Sequence, residues 1–284
     1  MRKDKPSRTA YKIALNIITL GTKPGMDQVF PPGIVEATAK LLVPSGLVSA
    51  TVVRWCRSQR MVSVYEAFDW MIPGQFEAFA HRKAFCERQV REGICKGATQ
   101  VLVLGAGYDT MGWRLSPEFN GVDFFEIDHP ATAHLKAKGV EAMGTRDNLH
   151  LIPVDLSERR LAEVLTANKS WDRAAQTVVL AEGLLMYLPD ATVRDLLGQC
   201  AAMTGAGSRI AFTHIGTNAN GRPDAGPWTS LILWALKVNG EPWLWSIRPE
   251  QLSKFLEKTG WRNAPDLLGT TNKHGVEFFS VAVK

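Results

Sequence analysis

Val101–Thr110 reads VLVLGAGYDT: four apolar residues, a Gly-Ala-Gly turn, then an acid and a hydroxyl. An unbroken apolar run ending in glycine is what a strand buried on both faces looks like, and such strands belong to parallel sheets covered by helices. Gly105 and Gly107 allow a tight turn after the strand. The missing side chains, at Gly105 and Gly107 and nearly so at Ala106, let a ligand approach the backbone, and a following helix would point its N-terminus at it. A dinucleotide fingerprint would place a third glycine at position 110, where this chain has Thr110.

Downstream of the turn the pattern alternates. DFFEID at 123–128, LHLIPVD at 149–155, TVVLAEG at 177–183 and RIAFTHI at 209–215 read as further strands. Helical windows at Ala131–Ala142, Arg159–Ala167 and Ala191–Met203 separate them, which implies crossover connections and a parallel sheet. Pro249–Thr259 predicts another helix, stopped by Gly260, and VEFFSVAV at 276–283 a last strand. Residues 216–248 break the rhythm. They carry Trp228, Trp234, Trp243 and Trp245 between Gly and Pro punctuation and are too long for an ordinary loop. This stretch reads as a lid over the site, as an insertion packed by its tryptophans, or as both.

Upstream of residue 97 the pattern is helical. Ser7 caps a helix over Arg8–Leu20 closed by Gly21, a second covers Ile34–Leu42, and a third runs over Gly74–Glu92 with Gly93 as its stop. The chain therefore divides into a helical cap and anchoring segment, 1–96, and a sheet domain, 97–284, with the insertion at 216–248.

The strand ends carry the chemistry. Asp128 closes the second strand and could accept hydrogen bonds from both ribose hydroxyls of an adenosine. It would repel a 2′-phosphate, which disfavours NADP. Glu126, two residues earlier on the same face, is the alternative. Asp155-Leu156 closes the third strand, where a carboxylate could take an adenine amino group with Leu156 beside the ring. Glu182-Gly183 closes the fourth. An acid at one strand end is often a solvated turn residue. Glycine or acid at four consecutive ends, all on the carboxyl edge where open α/β sheets bind ligands, is a more specific signal.

VLVLGAGYDTMGWRL, FFEIDHP with Lys136 beyond it, VDL, and LAEGLLMYLP together resemble the leucine carboxyl methyltransferase family, S-adenosylmethionine-dependent O-methyltransferases of the Rossmann-like class I type. The resemblance is ordered over residues 82–190, and PSRTAYKIA and PPGIVEATAKLL look like its bacterial branch. It implies an α/β fold with a seven-stranded, mostly parallel sheet, its last strand antiparallel, under an N-terminal helical cap. It also implies roles. Arg82, in HRKAF, would pair with the cofactor's methionine carboxylate. Gly105, Ala106, Gly107 and Asp109 would form the turn beneath it. Asp128 would hold the ribose, Asp155 and Leu156 the adenine, and Glu182 with Gly183 the amino end. Two departures stand out. Met111 replaces the family's usual arginine after Asp-Thr, although Arg114 fits its Arg-Leu pair, and the acid expected after Arg-Lys-x-Phe is either displaced to Glu87 or replaced by Cys86.

The acceptor is less legible. A carboxylate needs a cation or donor but no base, whereas a hydroxyl benefits from one. His214 could be a base, or a bonded structural residue at a strand end. Tyr187 could face the acceptor, or simply pack. Tyr65 and Arg60 are weaker candidates for holding a carboxylate. The Trp-rich lid suggests a small-molecule acceptor.

Composition narrows the remaining classes. The 284 residues are 45% hydrophobic and 21% charged, ordinary for a globular enzyme. The net charge of +5 gathers partly in Arg2, Lys3, Lys5, Arg8 and Lys12, a basic arm that reads as a solvated tail because no aromatic-basic stripe follows, so no nucleic-acid partner is expected. Cys56, Cys86, Cys95 and Cys200 form no CxxC pair, so no metal site is expected and a reducing, cytoplasmic setting is. No apolar run is long enough to span a membrane, and no signal peptide is read. Oligomeric state stays open between monomer and homodimer. The competing readings are an NAD-dependent oxidoreductase, opposed by Thr110 and the later acidic strand ends, a non-catalytic cofactor-binding protein, and a nucleic-acid methyltransferase, which lacks its usual catalytic motifs.

Overall fold

Five parallel strands form the centre of the molecule: β1 (Gln100–Leu104), β2 (Asp123–Asp128), β3 (Leu149–Pro153), β4 (Thr177–Ala181) and β5 (Arg209–Ile215). The computed structural model describes residues 6–268 and 273–284, so Arg2, Lys3 and Lys5 of the basic arm lie outside the described residues. Across the sheet the order is β3-β2-β1-β4-β5-β8-β6. The long strand β8 (Glu277–Val283) runs antiparallel to β5, and the two-residue strands β6 (Arg262–Asn263) and β7 (Lys273–His274) both pair with β8. The main path thus has the seven strands expected, with β7 as a short eighth piece.

Helices cover both faces. On one, α8 (Leu161–Ala167), α9 (Asp190–Ala202) and α11 (Pro249–Glu257) bury Leu165, Leu197 and Leu256 against Leu102, Phe125 and Phe212 of the strands. On the other, α5 (Gln75–Cys95) lays Phe85, Cys86 and Val90 against Val101, Val178 and Val281. Each such side chain removed from water stabilises the fold by roughly 1.5–3 kcal/mol.

The sequence predicts that this helix stops at Gly93. The structure carries α5 on to Cys95, and Gly93 serves packing instead: a Cβ there would stand 2.2 Å from Val178 Cγ2. A glycine inside a helix costs about 1 kcal/mol against alanine, and here that cost is offset by close approach of helix to sheet.

The remaining N-terminal helices form the cap: α1 (Arg8–Leu20), α2 (Ile34–Leu42), α3 (Ala50–Cys56) and α4 (Gln59–Ala67). The Ser7 hydroxyl accepts from the Ala10 N–H and caps α1, as its position before the apolar run predicts. Ala14 and Ile18 of α1 pack with Leu41, with Tyr108 of the glycine turn and with Val140 of α7 (Pro130–Met143). The insertion forms a helix, α10 (Thr229–Val238), none of whose residues is buried. Of its four tryptophans only Trp245 enters the core, 2% exposed, with its Nε1 donating to Asp190 Oδ1 at 3.2 Å. Trp228 meets Trp70 edge to face on the surface.

Candidate functional site

β1 pairs with β2 on one side and β4 on the other, so the strand order reverses at β1. That reversal opens a crevice at the carboxyl edge, where open α/β sheets place their ligands. A cavity partly open to solvent occupies the crevice. Its floor is the glycine turn. The Gly105 N–H donates to Ile127 O at 2.8 Å, and the turn continues into the short helix α6 (Met111–Leu115). Gly105, Gly107 and Gly183 line the cavity at φ 64°, 51° and 60°, a region that side chains avoid.

Asp128 ends β2 beside this turn. Its Oδ2 accepts from the Gly107 N–H at 2.5 Å and its Oδ1 from the His129 N–H at 2.6 Å. Burial pushes its pKa up, and these two donors work against that. Each oxygen keeps a lone pair for a further donor in the cavity.

The opposite wall is a chain of buried ion pairs. Arg82 and Lys83, adjacent on α5, reach past the sheet edge. Arg82 Nε donates to Glu182 Oε1 at 2.8 Å and its Nη1 to Glu277 Oε1 at 2.6 Å, with the arginine 4% exposed. Lys83 Nζ bridges Asp109 and Glu182, the latter at 2.8 Å. Burial alone would lower the pKa of Arg82; the Glu277 and Glu182 carboxylates outweigh it and hold the guanidinium above its ordinary value. Lys83 is raised likewise, burial being outweighed by Asp109 and Glu182. Asp109 is held well below the carboxylate range, burial being overcome by Lys83 with help from Lys136 and Arg114.

The roof comes from two segments distant in sequence. Ala10, Ile13, Ala14 and Ile17 follow helical spacing along α1 and face the cavity. Gly240, Glu241, Pro242 and Leu244 of the insertion complete it, held in part by the Leu244 N–H donating to Met186 O at 2.6 Å. Glu241 accepts from the Ser7 hydroxyl at 3.3 Å and from the Thr9 hydroxyl, tying the insertion to the start of α1. Tyr187, in the turn after β4, also lines the cavity; burial raises its pKa, so its phenol stays protonated.

Arg82, Gly105, Ala106, Gly107, Asp109, Asp128, Glu182, Gly183 and Tyr187 therefore converge on one cavity. Other residues singled out in the sequence do not line it. Asp155 sits at the rim, half-buried: its Oδ1 accepts from the Ser157 N–H at 2.8 Å and the Ser157 hydroxyl at 2.7 Å, and its Oδ2 lies 3.6 Å from His129 Nε2. Leu156 packs against the hydrophobic core under α8 and α9. His214 is 1% exposed, its Nε2 at 3.1 Å from Ser280 Oγ and its ring stacked 5.4 Å from Phe278. Burial pushes its pKa down to about 4. Of the two weaker candidates, Tyr65 stacks on Phe76 at 4.5 Å and Arg60 is exposed, neither on the cavity.

Several contributors were not singled out in the sequence. Lys83 stood next to Arg82 in HRKAF, and Glu277 lay inside the last strand; only the fold brings them to Glu182 and Arg82. Glu87 settles the loose register noted above: its carboxylate pairs with Arg114 Nη2 at 2.7 Å, while Cys86 is buried. Glu126 forms a buried pair with Lys136 and does not line the cavity. Tyr108, 3% exposed, also lines the cavity and packs against Ala14 of α1.

These features fit S-adenosylmethionine: backbone open to a ligand at three left-handed glycines, a carboxylate with free lone pairs for ribose hydroxyls, and a buried cation and carboxylates for the amino-acid end. Among the described residues no group of three His, Cys, Asp or Glu stands together as a metal site, and no helix is long and apolar enough to cross a membrane.

The chain is similar to known proteins over the same region. A protein of Mycobacterium sp. (strain KMS) named "Putative S-adenosyl-L-methionine-dependent methyltransferase" is 35% identical over 160 residues, 55% of this chain and 58% of that one. A like-named protein of Streptomyces avermitilis is 32% identical over 169 residues, 58% of each. The matches thus span somewhat more than half the length of these curated relatives. In architecture the chain is similar to the crystal structure of a "putative methyltransferase" from Thermobifida fusca YX, with a TM-score of 0.60 at 15% identity, covering 92% of this chain and 97% of that one. At that identity the likeness is one of fold, the class I methyltransferase fold. The model of the family described as leucine carboxyl methyltransferase matches residues 37–201, from the cap helix α2 through β4 to the end of α9, and so takes in the glycine turn, Asp128 and Glu182 together. A match over more than half of the chain, on a sheet that turns those strand ends into one crevice, places this chain in the leucine carboxyl methyltransferase family.

Proposed function

We propose that this protein is an S-adenosylmethionine-dependent methyltransferase that transfers a methyl group to an oxygen of a small-molecule acceptor. S-adenosyl-L-methionine is the cofactor that family membership implies. The observation that carries the reading is the convergence of the glycine turn, Asp128, Glu182 and Arg82 on one cavity at the strand-order reversal.

When bound, the cofactor supplies an electrophilic methyl group on a sulfonium. The protein's task is then alignment and exclusion of water, which can supply most of the rate. Asp128 would accept from the ribose hydroxyls. The Gly105–Gly107 backbone would lie under the cofactor, and Glu182 would receive the amino group. Arg82 would offer the cofactor's carboxylate a guanidinium already oriented by Glu182 and Glu277, and preorganised donors of this kind cost nothing to reorient. Asp155, beyond His129, would meet the adenine. The α1 wall and the 240–244 loop would enclose the acceptor, for which an oxygen is favoured by the family's own carboxyl-directed name. His214 lies off the cavity, bonded to Ser280, so no step is given to it.

Calorimetric titration tests the reading directly. S-adenosylhomocysteine is expected to bind at micromolar concentration, and Asp128→Ala to abolish that binding with the fold intact. Labelled methyl from S-adenosylmethionine should appear on the oxygen of at least one member of a small-molecule panel. No binding at millimolar cofactor would refute the proposal.

A further inference from the structure

Every strongly exposed large hydrophobic side chain among the described residues lies on one of two stretches. The first is 55–70, with Trp55, Val64, Phe68 and Trp70. The second is 228–244, with Trp228, Leu231, Trp234, Val238 and Leu244. The two stretches meet where Trp228 stands edge to face on Trp70, ring centroids 5.5 Å apart. The exposed side chains of the first stretch are not waiting for a core of their own, since α3 and α4 already bury Val53, Cys56, Met61 and Val62. Trp55, Phe68, Trp70 and Trp234 are each between 59% and 62% exposed. With the other five they leave roughly 1,000 Å² of mostly apolar surface in water, against roughly 300–600 Å² for the largest patch of a typical monomer.

The helix α10 decides what covers this face. Its sequence, TSLILWALKV, is apolar on nearly every side, none of its residues is buried, and Lys237 is its only charge. A helix apolar all round is stable when protein surrounds it. A helix that lies in a lipid interface needs the opposite, a strongly charged face along one side. Its 10 residues also fall short of the roughly 17–25 that cross a bilayer. The charges on the two stretches are of both signs, Arg54, Arg57, Arg60 and Lys237 against Glu66, Asp69 and Glu241. Mixed signs suit a face that meets its own copy, where a two-fold axis sets one residue against a different one. A lipid surface calls for a basic cluster instead. Residues 1–5 and 269–272, outside the described ones, read MRKDK and GTTN and bring no apolar segment to cover the face.

We propose that this face pairs two copies of the chain about a two-fold axis, with α10 and the 55–70 stretch of one copy packing on those of the other. The exposed surface matches the roughly 800 Å² that each partner gives to a standard interface. Tryptophan and arginine carry much of the binding energy at such contacts, and this face holds four exposed tryptophans and three arginines. Because α10 leads into the roof loop, the pairing face adjoins the cavity, and Leu244 belongs to both. The pairing goes beyond the methyltransferase reading and does not rest on it.

Sedimentation velocity with light scattering on the whole chain tests it. At micromolar concentration the wild type should have about twice the 31.3 kDa of one chain. Trp234→Glu on α10 and Trp70→Glu on the other stretch should each weaken the pairing at least about thirtyfold. Both should keep the wild-type circular dichroism, since neither side chain is buried. Lys169→Glu, exposed beyond α8 and outside both stretches, should leave the mass unchanged. The mass of a single chain at hundred-micromolar concentration would overturn the proposal, and so would a dimer that survives either tryptophan variant. Wild-type protein that stays monomeric but floats with vesicles of phosphatidylcholine and phosphatidylglycerol, and ceases to do so as Trp234→Glu, would overturn it in favour of a lipid-facing patch.

Discussion

Glu241, in the loop after α10, accepts hydrogen bonds from the hydroxyls of Ser7, at 3.3 Å, and Thr9, across 234 and 232 residues of sequence. The pair joins the first turn of the cap to the insertion and closes the roof of the cavity at a point where neither segment has much core of its own. A carboxylate at a helix N-terminus is also favoured by the helix dipole, by roughly 0.3–1 kcal/mol.

Glu241→Ala should therefore loosen both segments together without unfolding the sheet. Amide hydrogen exchange is expected to speed up at residues 8–13 and 240–245 and to stay unchanged in β1, β4 and β5. Faster exchange in only one of the two segments would contradict a shared latch.

Arg82 neutralises two buried carboxylates at once. Arg82→Ala leaves Glu277 without its cation and Glu182 with Lys83 alone, and breaking a buried pair in this way costs about 3–5 kcal/mol. Denaturant unfolding should register that loss. Arg82→Lys should recover only part of it, because a single ammonium cannot present the planar fork that reaches both acids.

Gly107 lies at φ 51°, with Ala10 Cβ 3.1 Å from where its own Cβ would stand. Gly107→Ala adds a left-handed strain of about 1–2 kcal/mol and pushes α1 away from the turn. Thermal unfolding should fall by several degrees, and S-adenosylhomocysteine affinity should fall with it. Gly25→Ala, also at positive φ but with nothing near its Cβ, is expected to cost only the strain and to leave affinity unchanged.

His214 gives a pH dependence with a defined sign. Its folded pKa is pushed from 6.5 down to about 4 by burial, so between these values the unfolded chain takes up a proton that the folded one refuses. Stability is then fully present above pH 6.5 and is lost as pH falls toward 4, by up to about 3 kcal/mol from this one group. Chemical denaturation at a series of pH values should show the slope, and His214→Asn should flatten it. Because the ring lies off the cavity, the same variant should leave the pH profile of methyl transfer unchanged.

The fold was largely legible in the sequence because its signals are local. The apolar runs at 101–104, 123–128, 177–181 and 209–215 are buried on both faces of a parallel sheet, and burial on both faces is visible without knowing the neighbours. Strand ends are legible for the same reason, since glycine and acid mark where an apolar run stops, as at Gly105, Asp128 and Glu182. The exposed α10 and the short helices α3 and α4 went unread, as their patterns carry little contrast between an inner and an outer face.

What the sequence by itself determined is the parallel α/β sheet and the set of residues at its carboxyl edge. The tertiary structure decided which of them meet. It sent His214 into the core beside Ser280 and kept Asp155 at the rim. It paired Arg82 with Glu277, 195 residues away, and brought Glu241 over to Thr9. The physical reason is range. A strand or a turn is set by residues a few positions apart, whereas the pairing of charge in a cavity depends on segments that only chain crossing makes neighbours.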